Sequence, residues 1–335
     1  KDGWVFAVGE LLVPADLARA ADPLSRLATA LRARGVEPFL VDVPGRLAVA
    51  ESQLDPARDA FRGYRPGSIA GSYSRKLAAV GGAGWNTVDV VGLAGSSGLG
   101  RHMFMDRDHH WSTAGEKVVA RALADRIQAL PLWAGVTRTV FALRERDVAY
   151  SGTYRYIVVS KCGFELPATP SLAYKAEREE EASAEALLGD ASVPDVVLIG
   201  TSQSRRQDFD LKANRQVFED SFAALLRWSL GADVLNLAVE GGGTYTSLEA
   251  WLTSDEYQRG KPKVVIWEMN DSDGFEDLDT LRRIVPAAWG RCRTRDALAH
   301  SRGEVGAYRP ILDVDAAAAV AGNDHYLVLS LSDGS

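Results

Sequence analysis

Asp195-Val196-Val197-Leu198-Ile199-Gly200-Thr201-Ser202-Gln203-Ser204 decides how this chain is read. Val196 to Ile199 form an unbroken run of branched apolar residues that stops at a glycine and a Thr-Ser turn. A strand that is apolar at every position, not at alternate ones, is buried on both faces, the habit of parallel sheets. The run places Ser202 at the carboxyl end of such a strand, where ligands of α/β proteins gather. It also predicts a helix after Ser202, carrying Phe218, Phe222, Leu225 and Leu226 on one stripe. The N-terminus of that helix would offer backbone N–H groups and a positive dipole end to a developing oxyanion. The plain alternative is that Ser202 only caps the helix, a frequent use of serine.

Similar runs lie on either side. Pro38 to Pro44, Val88 to Leu93, Val234 to Ala238 and Val264 to Trp267 read as further strands, and Tyr326 to Leu331 as the last. Leu24, Leu27, Ala28 and Leu31 recur at helical spacing up to a capping Gly35, and a second helix is expected from Thr113 to about Leu130, with Glu116 completing a capping box. Strands alternating with helices point to an α/β fold on a parallel sheet. Between Gly135 and Pro194 the texture changes. Tyr154 to Val159 reads as a strand and Ala176 to Leu188 as a solvated helix rich in Glu and Ala. Residues 136–194 are therefore expected as an inserted or linking segment outside the sheet, with about 1–135 and 195–335 forming one catalytic domain.

The 335 residues suffice for one large α/β domain, and 46% hydrophobic with 25% charged residues is ordinary globular composition. A net charge of −7 implies no general basic face for nucleic acid or anionic lipid. No run approaches the ~18 apolar residues of a membrane-spanning helix. The chain starts at Lys1 without a methionine or a signal peptide, so it is expected to be a trimmed form whose export signal or anchor is missing. Cys162 and Cys292 suit two buried thiols in a reducing compartment or one disulfide in an oxidising one, and spacing does not choose between them.

A serine hydroxyl needs a base before it can attack a carbonyl. Of five histidines, two lie in Met105-Asp106-Arg107-Asp108-His109-His110-Trp111, just before the capped helix. Asp108 stands two residues before His110, close enough to orient its ring as a triad acid does. Asp106 with His109 gives the competing Asp-x-x-His spacing, and a polar loop that merely caps the helix is the plain alternative. A glycine run, Gly241-Gly242-Gly243, follows the strand near Leu235, where bare backbone lets an N–H approach a reacting carbonyl. Asn270, at the end of the next strand, offers a side-chain amide. A flexible turn and an Asn-Asp turn are their ordinary readings. With no third ligand cluster at a metal-like spacing, no metal is expected.

Together these blocks resemble the SGNH hydrolase superfamily. Gly200-Thr201-Ser202-Gln203-Ser204 is similar to its Gly-Asp-Ser-x-Ser block with Thr201 in place of the acid, Asn236 followed by Gly241 to its glycine block, and Asn270-Asp271 to its Asn block. The Asp/His block, normally after the serine, here precedes it, as in the circularly permuted alginate O-acetyltransferase family of AlgJ/AlgX type. Gly3-Trp4-Val5-Phe6, Val43-Pro44 and Asp108-His109-His110-Trp111 also resemble that family. The resemblance implies an SGNH-like three-layer α/β/α fold, circularly permuted, with an inserted segment. It implies an O-acetyltransferase with Ser202, His110 and Asp108 as triad, Gly241 and Asn270 at the oxyanion, and no cofactor. The acceptor would be an exported polysaccharide such as alginate or cellulose, and the acetyl donor a membrane-bound acyltransferase of MBOAT type working with other secretion components. The chain leaves no room for a C-terminal carbohydrate-binding module, which favours the AlgJ type. The implied location is the periplasm, where a Cys162–Cys292 bridge would persist. A carbohydrate acetylesterase with the same triad and a non-catalytic glycan-binding or acetyl-relay component are the rival functions.

Overall fold

In the computed structural model the residues described are 3–13, 17–55, 63–150, 152–179, 194–210, 215–259, 262–270, 274–275 and 277–290. The apolar runs form a five-stranded parallel sheet built from β1 (Glu37–Val43), β2 (Asn86–Thr87), β5 (Val196–Ile199), β8 (Val234–Asn236) and β9 (Val264–Asn270). Their order is β2-β1-β9-β5-β8, every pairing parallel. β9 therefore lies between a strand of the first half and a strand of the second. One sheet is shared by both halves of the chain, as circular permutation requires.

Alternation along the central strands feeds two apolar layers. Phe39, Val41 and Val43 of β1 point with Leu198 of β5 and Ile266 of β9 toward α4 (Val90–Ser96), α5 (Thr113–Gln128) and α7 (Ser221–Leu230). Leu40, Ile199 and Trp267 point the other way, toward α1 (Ala21–Ala33), α8 (Thr246–Thr253), the short α9 (Asp255–Arg259) and α10 (Leu278–Trp289). α3 (Ser68–Gly82) reaches both layers, through Tyr73 and Val80, and α2 (Leu47–Ala50) is a single turn after β1. Leu24, Leu27 and Leu31 of α1 are fully buried, each contributing roughly 1.5–3 kcal/mol relative to exposure. This is the expected three-layer α/β/α fold.

A second sheet, antiparallel in the order β4-β3-β6-β7, packs beyond α7. β3 (Phe141–Tyr150) and β4 (Thr169–Arg178), joined through α6 (Arg155–Cys162), come from the segment before the Gly200–Ser204 turn. β6 (Arg206–Asp210) and β7 (Arg215–Glu219) follow that turn directly.

Several local expectations are corrected. Ser202 opens no helix: residues 206–210 and 215–219 pair as antiparallel strands and β6 pairs in turn with β3, so Phe218 lies in β7 and the next helix is α7. Val88–Leu93 is not a strand. Asp89 caps α4 by accepting from the Gly92 N–H at 3.0 Å, which turns Val90 and Val91 into a helix. Tyr154–Val159 is not a strand: Tyr154 is the N-cap of α6 and the rest lies in that helix, which ends at Gly163 with φ +72°. Residues 176–178 complete β4 because β3 pairs with them, Ala176 opposite Leu143, and tertiary pairing overrides helical propensity there. The rest of the expected helix at 180–188 lies outside the described residues. Glu116 does not complete a capping box: Ser112 caps α5, and Glu116 pairs instead with Arg206, both buried. The expected strand at 326–331 and Cys292 lie outside the described residues, while Cys162 is exposed at the end of α6.

Candidate active site

Residues 104–111 close on themselves as a narrow loop ahead of α5. Phe104 and Trp111 form an antiparallel bridge, Met105 N–H donates to His110 O at 3.2 Å, and Ser112 N–H to Met103 O at 2.9 Å. Gly115 lets this loop seat on α5, because a Cβ there would meet the Met103 carbonyl. Trp111 is fully buried with its ring 4.6 Å from that of Phe222. The loop is pinned from behind by Arg46, which is 1% exposed. Its guanidinium donates to the Met105 and Asp106 carbonyls, pairs with Glu10 at 2.8 Å and lies against the rings of Trp4, Phe6 and Tyr154. The Gly3–Phe6 opening and the turn after Val43-Pro44 thus meet at the Asp/His loop.

Within the loop, Asp108 is wholly buried. Its carboxylate accepts from the His110 N–H at 2.8 Å, from His110 Nδ1 and from the Thr153 N–H. Burial pushes the Asp108 carboxyl up, but the hydrogen bond and charge of His110, then of His109, together with the Tyr150 hydroxyl, hold it well below the usual carboxylate range. Because an ionised carboxylate only accepts, the His110 proton belongs on Nδ1 and the lone pair on Nε2. Nε2 is buried and has no hydrogen-bond partner among the described residues. The Tyr150 hydroxyl lies 3.3 Å from the same Nδ1. Tyr150 and Thr153 come from the second sheet and the turn after it, so that sheet supports the pair.

His109 differs from its neighbour. Its Nδ1 bonds the Thr153 hydroxyl at 3.0 Å and stands 3.7 Å from Asp108, and the two imidazoles stack with centroids 4.0 Å apart. Burial, then the charge of His110, pulls the His109 pKa down to about 4. Asp106 turns away, toward Arg107 Nε at 3.7 Å, so Asp106 and His109 are not assembled as a pair. Asp108, His109 and His110 are also the one group among the described residues with metal-ligand proximity. The Nδ1 atoms of the two imidazoles are hydrogen-bonded, to Asp108 and to Thr153.

The serine turn docks on this loop through Gln203. Trp111 N–H donates to Gln203 Oε1 at 3.1 Å, its indole N–H to the Gln203 carbonyl at 2.8 Å, and Gln203 Nε2 donates to the His109 carbonyl at 3.2 Å. Ser202, half-buried, is carried between Thr201 and Gln203. No hydrogen bond joins its hydroxyl to His110. From the other side, buried Glu268 of β9 accepts from the Thr201 N–H at 2.8 Å, the Thr201 hydroxyl at 2.9 Å and the Ser204 hydroxyl at 2.8 Å. Gly200 is required there, since a Cβ would run into Glu268 Oε2. Asn236 donates to the Ser204 carbonyl at 3.3 Å, and Val239 N–H to Gly200 O at 3.0 Å, tying the glycine loop to the turn. Gly241 is exposed in that loop with φ +69°. Asn270 ends β9 level with Val43, three residues beyond Trp267, the partner of Ile199. Both stand at the carboxyl end of the sheet.

Sequence reasoning did not find Glu268, Gln203, Arg46, Tyr150 or Thr153. Glu268 left a signal: a carboxylate inside the apolar run Val264–Met269 must meet donors to be tolerated. On the far side of Tyr150 lies a cavity of about 330 Å³, whose lining includes Trp4, Arg101, His102, Arg107, Thr169 and Ser171. It does not include Ser202 or His110.

Residues 1–271 match the family described as SGNH hydrolase-like domain, acetyltransferase AlgX. The alginate biosynthesis protein AlgX of Pseudomonas putida is 27% identical over 306 residues, which is 88% of this chain and 60% of that protein. The probable alginate O-acetylase AlgJ of Azotobacter vinelandii is 29% identical over 191 residues, 56% of this chain and 46% of its own. In sequence the AlgX match thus runs over more of the chain than this AlgJ match. The solved AlgX of Pseudomonas aeruginosa superposes with a TM-score of 0.68 at 26% identity, covering 85% of this chain and 64% of that one. The O-acetyltransferase domain of Pseudomonas putida AlgJ gives 0.63 at 19% identity over 86% of this chain and 97% of that one, a likeness of fold. The chain spans about 60% of the length of the AlgX relatives it matches over most of its own length.

Proposed function

The chain belongs to the SGNH hydrolase-like family of the acetyltransferase AlgX, and on that premise we propose that it carries an acetyl group on Ser202 and delivers it to hydroxyls of an exported polysaccharide, alginate foremost. His110 Nε2 takes the Ser202 proton while Asp108 holds Nδ1–H and stabilises the imidazolium. The serine oxygen attacks the acetyl carbonyl, the donor's leaving group departs with the proton, and acetyl-serine remains. A sugar hydroxyl, deprotonated by the same imidazole, then attacks the ester and releases Ser202. Gly241 N–H and the Asn270 amide are assigned to the oxyanion. The Ser202–His110 hydrogen bond forms as the acyl group docks, a tightening common in such sites.

The observation that carries this reading is the buried Asp108–His110 pair, with an unpartnered Nε2, held against the serine turn by Gln203. The cavity beyond Tyr150 supports a glycan acceptor, since indole, guanidinium and hydroxyl groups suit sugar rings. The relatives named for alginate support alginate over cellulose. On this reading residues of about 1–135 and 195–335 work as one catalytic domain in the periplasm, with 136–194 as the addition that buttresses Asp108. A membrane-bound acyltransferase supplies the acetyl group.

Mass spectrometry of alginate oligomers mixed with protein and an acetyl ester tests the proposal. Acetyl gained by the oligomer, and lost with Ser202→Ala, is the expected result. Acetyl removed from a pre-acetylated oligomer would instead mark an esterase, and binding without either change a relay protein.

A further inference from the structure

We propose that Glu268 is the positioning residue of the nucleophile turn, a carboxylate supplied by the neighbouring strand where this chain has Thr201 instead of an acid. The inference rests on the acyl-transfer reading for its consequence, but its geometry stands alone.

Three donors from one four-residue turn converge on two carboxylate oxygens: Thr201 N–H, Thr201 O–H and Ser204 O–H, each at 2.8–2.9 Å. The direction of the Thr201 hydroxyl is fixed by a second bond. Its oxygen accepts the Gln203 N–H at 3.2 Å, so its proton goes to Glu268. Ser202 is the residue between these anchors. The turn has no helix behind it to hold its shape, since the chain continues as β6. Order at Ser202 must therefore come from side chains, and Glu268 supplies it on one side as Gln203 does on the other. Glu268 is fully buried near the carboxyl end of β9. The absent Cβ of Gly200 makes room for Oε2.

An amide cannot replace the carboxylate. Glutamine has one acceptor oxygen and two protons of its own to place, so Glu268→Gln breaks at least one of the three bonds and sets two donors facing each other. The turn then samples other conformations, and a displacement near 1 Å at a nucleophile lowers turnover on the order of 10²-fold. Substrate affinity, which depends on the pocket and not on the serine rotamer, is spared.

The test uses the full chain and two measurements on Glu268→Gln, Thr201→Val and Ser204→Ala. The last two remove the same bonds from the turn side and keep the question open should the buried amide fail to fold. Hydrogen exchange reads the Thr201 amide, and 4-nitrophenyl acetate reads acylation at Ser202 per folded molecule. The expected result is a Thr201 amide protected in the wild type and at least about tenfold less so in Glu268→Gln. With it, kcat falls on the order of 10²-fold at a KM within about twofold, and Ser204→Ala adds little to Glu268→Gln. Retained protection in Glu268→Gln, or a kcat loss that only follows the unfolded fraction, overturns the proposal. If the wild type never acylates at Ser202, the acyl-transfer reading falls by itself, and the exchange measurement still decides for or against Glu268.

Discussion

The indole N–H of Trp111 donates to the carbonyl of Gln203 at 2.8 Å, across 92 residues of sequence. That bond, with the Trp111 N–H bond to Gln203 Oε1, is where the two halves of a permuted site are fastened. The residue beside His110 grips the residue beside Ser202. The His110 and Ser202 loops are thereby set by one contact, while Arg46 and Glu268 hold the two loops from outside.

Trp111→Phe keeps the buried ring but removes the indole donor, leaving the Gln203 carbonyl unsatisfied in the core. Urea unfolding is expected to show a loss of about 1–3 kcal/mol. Acetyl-ester cleavage per folded molecule should fall as well, because the two loops lose their register. A variant that unfolds more easily yet cleaves at the wild-type rate would limit Trp111 to packing.

His110→Ala is expected to lower kcat by roughly 10²–10⁴-fold, the range for loss of a general base, with His109→Ala within about tenfold of wild type. Asp108→Asn should match His110→Ala, because an amide can donate to Nδ1 and drive the ring proton to Nε2, where it blocks the lone pair. Equal losses for His109→Ala and His110→Ala would assign the base wrongly.

How much of this was legible depends on whether a signal is local. The central strands were, because β1, β5 and β9 are buried on both faces and announce it by uninterrupted apolar runs. Asp108 and His110 were, because the pair is adjacent in sequence and bonds within its own loop. The turn after Ser202 was not. Arg206 goes to Glu116 and residues beyond it to β3, partners far away in the chain, and a helix read from apolar spacing had no means to include them. Arg46 was missed for the same reason: its partners are Glu10, Met105 and Asp106, from two distant places in the sequence.

Gly152→Ala tests whether the second sheet supports the site. Gly152 has φ +78°, and a Cβ there would stand 2.5 Å from the Arg107 carbonyl, next to the Thr153 N–H that bonds Asp108. Backbone strain of this kind costs about 1–3 kcal/mol. The expected outcome is that size of loss in urea unfolding together with slower ester cleavage at unchanged KM. Full activity in the folded fraction would confine the contact to stability.

Acid sensitivity follows from His109. Its folded pKa of about 4 lies below the 6.5 of an unperturbed histidine, so between pH 6.5 and 4 the unfolded chain binds a proton that the folded one does not. Stability must then decline as pH falls through that window and level off with respect to His109 below it. Asp108 acts in a lower window. Its depressed carboxyl stabilises the fold above the ordinary carboxylate pKa and loses that contribution only as pH falls toward its folded value. The His109 side chain is 33% exposed, and solvent screens part of the effect. The expected measurement is a urea midpoint that drops between pH 7 and pH 4.5 in the wild type and drops distinctly less in His109→Gln, which keeps a polar partner for Thr153 but does not titrate. Parallel pH curves for the two proteins would show that His109 is protonated in the fold like any surface imidazole, and with it the argument for a neutral ring stacked on His110 would fail.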